Sequence, residues 1–208
     1  MVINRRDIIQ MLRDENDLLK ARNKQVGNRL AFLQQAFRVL NTIDAKTHNL
    51  TEAPDIEGFF HQLLELVLHT CNTENGSLIL LDDKTLELEF VDVIGPSRDA
   101  LMNHRMKINT GIVGETIMSG QARLVENVHA SNKWSPSIDE YLSFHTESLM
   151  CAPLKIENRI IGAIELVSHA GERTFDENDL NVLHVASGYI GRALEQVEKI
   201  MESTGVSK

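Results

Sequence analysis

The chain of 208 residues has only two cysteines, Cys71 and Cys151. That scarcity excludes a disulfide framework, and their spacing fits no metal motif. No apolar run approaches the ~18 residues of a membrane span. The opening MVINRRDIIQ carries charges where a signal peptide has its apolar core, so no secretory leader is expected. A dense Lys/Arg block is missing too. With a formal net charge of −9, a nucleic-acid backbone is a poor main partner. Arg22, Lys24, Arg29 and Arg38 alternate with neutral residues, which suits a solvated helix face and not the basic region of a DNA-binding zipper. No glycine-rich phosphate loop and no Ser/His/Asp constellation is present, and no kinase, cyclase or phosphodiesterase motif. The expectation is a cytoplasmic protein without membrane or nucleic-acid partners, without catalytic residues or a metal site, and with no cofactor named by its residues.

What is there begins with five heptads. Leu12, Leu19, Val26, Leu33 and Leu40 recur every seven residues, and Ile9, Asn16, Asn23, Leu30 and Phe37 precede each by three. Taken as d and a positions, they form one seam along a helix over about Asn4–Asp44. One helix cannot bury its own stripe, so the seam calls for a partner helix. Two Asn at a positions favour a defined register. Residues 1–45 are therefore expected to be a coiled-coil dimerisation helix, the alternative being a long amphipathic helix packed on its own domain, with Gly27 interrupting it at a cost of ~1 kcal/mol relative to Ala.

After a loop over Lys46–Pro54, Asp55 is a candidate N-cap for a helix over Ile56–Cys71. Phe59, Phe60, Leu63, Leu64, Val67 and Leu68 give it helical spacing. The period then changes. Gly76–Leu81 is a short apolar run, Asp82–Lys84 a turn, and Leu86, Leu88 and Phe90 alternate with glutamates, which predicts a hairpin. Asn109–Gly120 reads as a short helix between glycines and Ala122–Val125 as a small strand. Asn127–Phe144 is long and irregular, and such stretches in compact domains are usually functional or mobile. A second hairpin pairs Ser148–Ile156 with Ile160–Val167. Thr174 and Glu177 suggest a capping box for a last helix over about 176–202. In it Leu183, Ala186, Ile190, Ala193, Val197 and Ile200 step three and four apart, a second candidate dimer seam, with Leu180, Ser187, Leu194 and Met201 facing the domain. Helix, hairpin, crossover, hairpin, helix gives an α+β fold with an antiparallel sheet.

Six motifs, in order, resemble the GAF domain family: Asn75–Asp82 (NGSLILLD); Ile108-x-x-Gly111-Ile112-Val113-Gly114 followed by Ser119-Gly120; Leu124–Val128; Ser148–Leu154 (SLMCAPL); Ile161–Leu166 (IGAIEL); and Phe175-x-x-x-Asp179-Leu180. The resemblance covers about Ala53–Gln196, within a domain read as residues 53–203. It implies a six-stranded antiparallel sheet, with a ligand pocket on the face covered by the irregular crossover. The first and last helices would lie on the opposite face and contribute to a dimer. By the same resemblance Ser77, Val113, Asn127, Trp134, Thr146 and Glu165 would line the pocket, joined by His129 and Ser148. Ser77 and Thr146 are equally readable as ordinary strand residues, and Trp134 as a loop anchor instead of a lid.

The family's cyclic-nucleotide signature, Asn-Lys…Phe-x-x-x-Asp-Glu, is broken here: Ser168-His169 replaces the first pair and Leu180 the last residue. Free methionine sulfoxide reductase, an enzyme of the same fold, needs thiols in the crossover, and this crossover has none. Bilin attachment fails on the same ground. His129 and His145 are isolated and weak as haem or metal ligands. The expectation is a homodimeric sensor of an unidentified small molecule, relaying through its helices to a downstream signalling protein. The competing expectation is a ligand-free interaction module.

Overall fold

The computed structural model describes residues 5–48, 56–130 and 145–204. Asp55 and Trp134 lie outside these residues. The chain divides into two compact units, residues 1–35 and 36–208. Helix α1 spans Arg5–His48, four residues beyond its expected end, and continues through Gly27. Its apolar rows stay open: Ile9, Leu12, Leu19, Val26, Leu30, Leu33 and Phe37 are between 43% and 64% exposed. The side chain of Leu40 lies outside the described residues.

In the second unit come α2 (Ile56–Cys71), β1 (Asn75–Asp82), β2 (Glu87–Ile94), α3 (Arg98–Leu101), β3 (Arg105–Lys107), α4 (Gly111–Ser119), β4 (Arg123–Val125), a 3-10 turn (Val128–Ala130), β5 (Thr146–Ile156), β6 (Arg159–His169) and α5 (Glu177–Thr204). The six strands form one antiparallel sheet in the order β3-β2-β1-β6-β5-β4. β1 is central, and its residues 75–79 are buried throughout. That explains why it reads as a continuous apolar run while β2, nearer the edge, alternates.

Strand alternation sorts the core into two layers. On one face Leu78, Ile164, Leu166, Met150, Ala152 and Leu154 lie under α2 and α5. On the other, Ile79, Leu88, Phe90, Val93, Leu149, Cys151 and Ala163 meet Ile112, Val113 and Ile117 of α4, with Val128 of the 3-10 turn. Between α2 and β2 sits a buried carboxylate, Asp92, 3% exposed. It accepts a hydrogen bond from Arg98 Nη1 at 2.8 Å and faces His61 Nδ1 at 3.0 Å.

The structure corrects the reading of α5. Leu183, Ala186, Ile190, Ala193 and Val197 are at most 5% exposed within the single chain, so they belong to its own core and not to a dimer seam. The same 3-4 stepping serves a helix lying on a sheet. The side chain of Ile200 lies outside the described residues. The cap is shifted as well. Asp176 Oδ1 accepts from the backbone N–H of Asn178 and Asp179 (2.8 and 3.1 Å), and Asp179 Oδ2 accepts from Asp176 N–H at 2.8 Å. This is a reciprocal box two residues beyond Thr174 and Glu177. Neither α3 nor β3 is visible in the sequence pattern, since elements of three or four residues show no period.

Glycine permits the closest approach of α5 to the sheet. A Cβ on Gly191 would stand 2.1 Å from the carbonyl oxygen of Lys155 in β5, whereas one on Gly188, a turn earlier, would meet nothing within 4 Å. Gly191→Ala should therefore destabilise by roughly 1–3 kcal/mol through overpacking. Gly188→Ala should be neutral or stabilising by up to ~1 kcal/mol from helix propensity. Paired urea unfolding curves check both signs.

Candidate ligand-binding face

One row of cross-strand neighbours crosses the α4 side of the sheet. Val93 pairs with Ser77, Ser77 with Glu165, Glu165 with Cys151, and Cys151 with Arg123. Residues opposite one another in a sheet point to the same side, so a hydroxyl, a carboxylate, a thiol and a guanidinium stand in line on an otherwise aliphatic and aromatic surface. Above them, α4 contributes Thr116, which is 0% exposed. Its buried hydroxyl has one polar neighbour, the Cys151 thiol, toward which it acts as a hydrogen-bond donor, and it meets no ideal-geometry partner among the described residues. At the sheet edge Arg123 Nη2 reaches Glu115 at 2.9 Å and Ser119 Oγ at 3.4 Å. Its buried Nε lacks a partner among the described residues. A groove of about 330 Å³ opens there, lined in part by Ile112, Glu115, Arg123, Leu124 and Glu177.

The sequence-derived set divides on this geometry. Ser77 and Glu165 are direct neighbours at the centre of the face, and Val113 packs in the same cluster. Thr146 is buried opposite His169, on the same side by register. Asn127 Oδ1 instead accepts the backbone N–H of His129 at 3.0 Å, a local turn that holds the exposed His129 at the start of the 3-10 segment. Ser148 is a correction. It alternates with Leu149 onto the α5 side, where its hydroxyl accepts the backbone N–H of Phe175 at 3.1 Å. It therefore anchors the entry to α5. Thr116, Glu115 and Arg123 were not anticipated. A signal for Thr116 existed, because it lies three residues after Val113 and shares its helix face. Among the described residues no group of three or more His, Cys, Asp or Glu is placed to hold a metal ion.

Both thiols are held protonated. Burial pushes Cys71 from 9.0 up to about 12, the nearby Asp179 charge adding to the effect and Arg173 opposing it. Burial raises Cys151 well above its ordinary value, the Glu165 charge acts in the same direction, and the Thr116 hydroxyl opposes it. Neither is an available nucleophile, since the thiolate is the reactive form. Native protein at pH 8 should be inert to an aromatic disulfide reagent, with both thiols reacting once urea unfolds the chain. Above pH 9 the unfolded chain binds fewer protons than the folded one, so stability is full below pH 9 and falls between about 9 and 12. Urea midpoints at pH 8, 9 and 10 should decline less steeply in Cys71→Ala.

Residues 55–194 match the family model for the GAF domain. Among curated proteins, the dual 3',5'-cyclic-AMP and -GMP phosphodiesterase 11 of Drosophila melanogaster is 29% identical over 99 residues, which is 47% of this chain and 7% of that enzyme. Free methionine-R-sulfoxide reductase of Escherichia coli is 24% identical over 131 residues, 62% of this chain and 67% of that one. Among solved structures, the GAF domain of a phosphoenolpyruvate-protein phosphotransferase from Coxiella burnetii superposes with a TM-score of 0.67 at 13% identity, covering 84% of this chain and 98% of that one. The sheet order, the two-layer core and the match over residues 55–194 lead to one conclusion: the chain belongs to the GAF domain family, a regulatory fold that binds small molecules.

Proposed function

We propose that this protein is a homodimeric sensor that takes a small molecule on the α4 side of its sheet and relays occupancy through its helices to a signalling partner. The observation that carries the reading is the line Ser77–Glu165–Cys151 on the α4 side, with the Thr116 hydroxyl above Cys151. A mostly apolar surface with a few convergent polar groups is the usual make-up of a small-molecule site. Binding, not turnover, is the role proposed. The relative in Escherichia coli is a sulfoxide reductase, whereas both thiols here are buried and protonated. The Drosophila relative acts on cyclic nucleotides, but here Ser168 and His169 stand where the cyclic-nucleotide signature has Asn-Lys, and the Ser168 hydroxyl is spent on the carbonyl of Arg173 at 2.7 Å. No described helix is long and apolar enough to cross a membrane.

Native mass spectrometry of freshly purified protein, followed by a metabolite thermal-shift panel, should reveal a bound compound or one that raises Tm. Glu165→Gln, which keeps shape and removes charge, should weaken that compound at least tenfold while leaving the apo Tm within a few degrees. A chain that carries nothing and responds to nothing in the panel would instead be an interaction module.

The homodimer rests on α1, whose seam is open in the single chain. Sedimentation should give a dimer for the full chain and a monomer at micromolar concentration for Leu19→Asp/Leu33→Asp. A double variant that remains dimeric would place the interface elsewhere.

A further inference from the structure

We infer that α1 pairs with α1 of a second copy in parallel and in exact register, fixed by two consecutive amide layers at Asn16 and Asn23. This rests on the homodimer reading above and deepens it. The seam residues from Ile9 to Phe37 that are apolar are exposed, and Asn16 and Asn23 are exposed between them. Once a partner helix covers that stripe, both amides are taken out of water. A buried amide without a partner costs about 1–3 kcal/mol, so the arrangement that pairs all of them is selected.

Parallel pairing sets a against a. Asn16 then meets Asn16 and Asn23 meets Asn23, and an amide both donates and accepts, so identical partners satisfy one another. Antiparallel pairing sets a against d. With the seam from Ile9 to Leu40 fully overlapped, Asn16 would face Leu33 and Asn23 would face Val26, stranding every amide. A parallel slip of one heptad keeps a single Asn–Asn layer and places the other two amides against apolar or open positions. A lone Asn layer leaves no pair at all after such a slip, but two adjacent ones grade the penalty and make the unslipped state the best satisfied. The charges agree. Glu15 at g stands across from Lys20 at e of a parallel partner, and Lys20 reaches Asp17 of its own helix only at 4.0 Å. A groove between Ile9, Leu12, Asn16 and Lys20 is open along this seam, where a partner side chain would insert as a knob.

The test uses the full chain with Asn16→Cys. Cys71 and Cys151 are 2% and 0% exposed and do not compete for oxidant. Facing a positions come within disulfide reach, Cα separations under about 7 Å, so mild oxidation at micromolar concentration should convert most of the Asn16→Cys dimer to a disulfide-linked species. Asp17→Cys, on the outer surface, should not cross-link. Because a seam substitution can itself disturb pairing, a spin label at Arg13→Cys gives an independent readout. Parallel in-register helices place the two labels within about 20 Å of one another, given interaxial distances of 8–10 Å. Antiparallel helices place residue 13 opposite residue 36 and the labels about 35 Å apart at 1.5 Å per residue. A sedimenting dimer that shows the long distance, or that cross-links Asn16→Cys to Leu33→Cys in a mixture but not to itself, overturns the parallel register alone. A monomer overturns the homodimer reading together with it.

Discussion

Strands β1, β6 and β5 are covered on both faces, and the rest of the domain follows from that double burial. Each must supply apolar side chains up and down, which gives Leu78, Ile164 and Met150 to the α2/α5 layer and Ile79, Ala163 and Leu149 to the α4 layer. The helices are then constrained by thickness. At Gly191 the α5 backbone comes so near Lys155 that a single methyl group does not fit. Packing this close leaves little room for adjustment, because protein interiors are as dense as organic crystals.

Against such a background each buried polar group has to be accounted for. On the α5 side the account closes. Ser148 holds Phe175 N–H, Ser168 holds the carbonyl of Arg173, and the Asp176/Asp179 box caps the helix they lead into. On the α4 side it is looser: the Thr116 hydroxyl has only the Cys151 thiol beside it, and the buried Nε of Arg123 has no partner among the described residues. Among the described residues, the polar groups of the α5 side are thus the more completely paired of the two sets.

Much of this was legible in the sequence, and the failures have physical reasons. Both hairpins were readable because a half-buried strand such as β2 must alternate, and because turns at Asp82 and Glu157 interrupt the pattern. The grouping of Ser77 with Glu165 came from family motifs, but their direct pairing came only with the structure, since no single-strand pattern reveals its cross-strand neighbour. The α5 seam misled because Leu183, Ala186, Ile190 and Ala193 present the same stripe whether a sheet or another helix covers them. Small residues at that stripe fit close approach to β5 as well as they fit a coiled coil. Ser148 misled for a related reason. Its place in the chain is beside Leu149 of the α4-side core, and strand alternation sends it to the other layer. The cap was misplaced because two boxes overlap two residues apart, and only the hydrogen bonds decide between them.

The buried carboxylate of Asp92 has a mechanical consequence. It is gripped from two directions, by Arg98 just beyond its own strand and by His61 on α2. Sliding α2 along its axis by one turn, ~5.4 Å, would strip His61 away and leave a desolvated charge with half its partners. Asp92 thus ties α2 to β2 and fixes the position of α2 along its own axis.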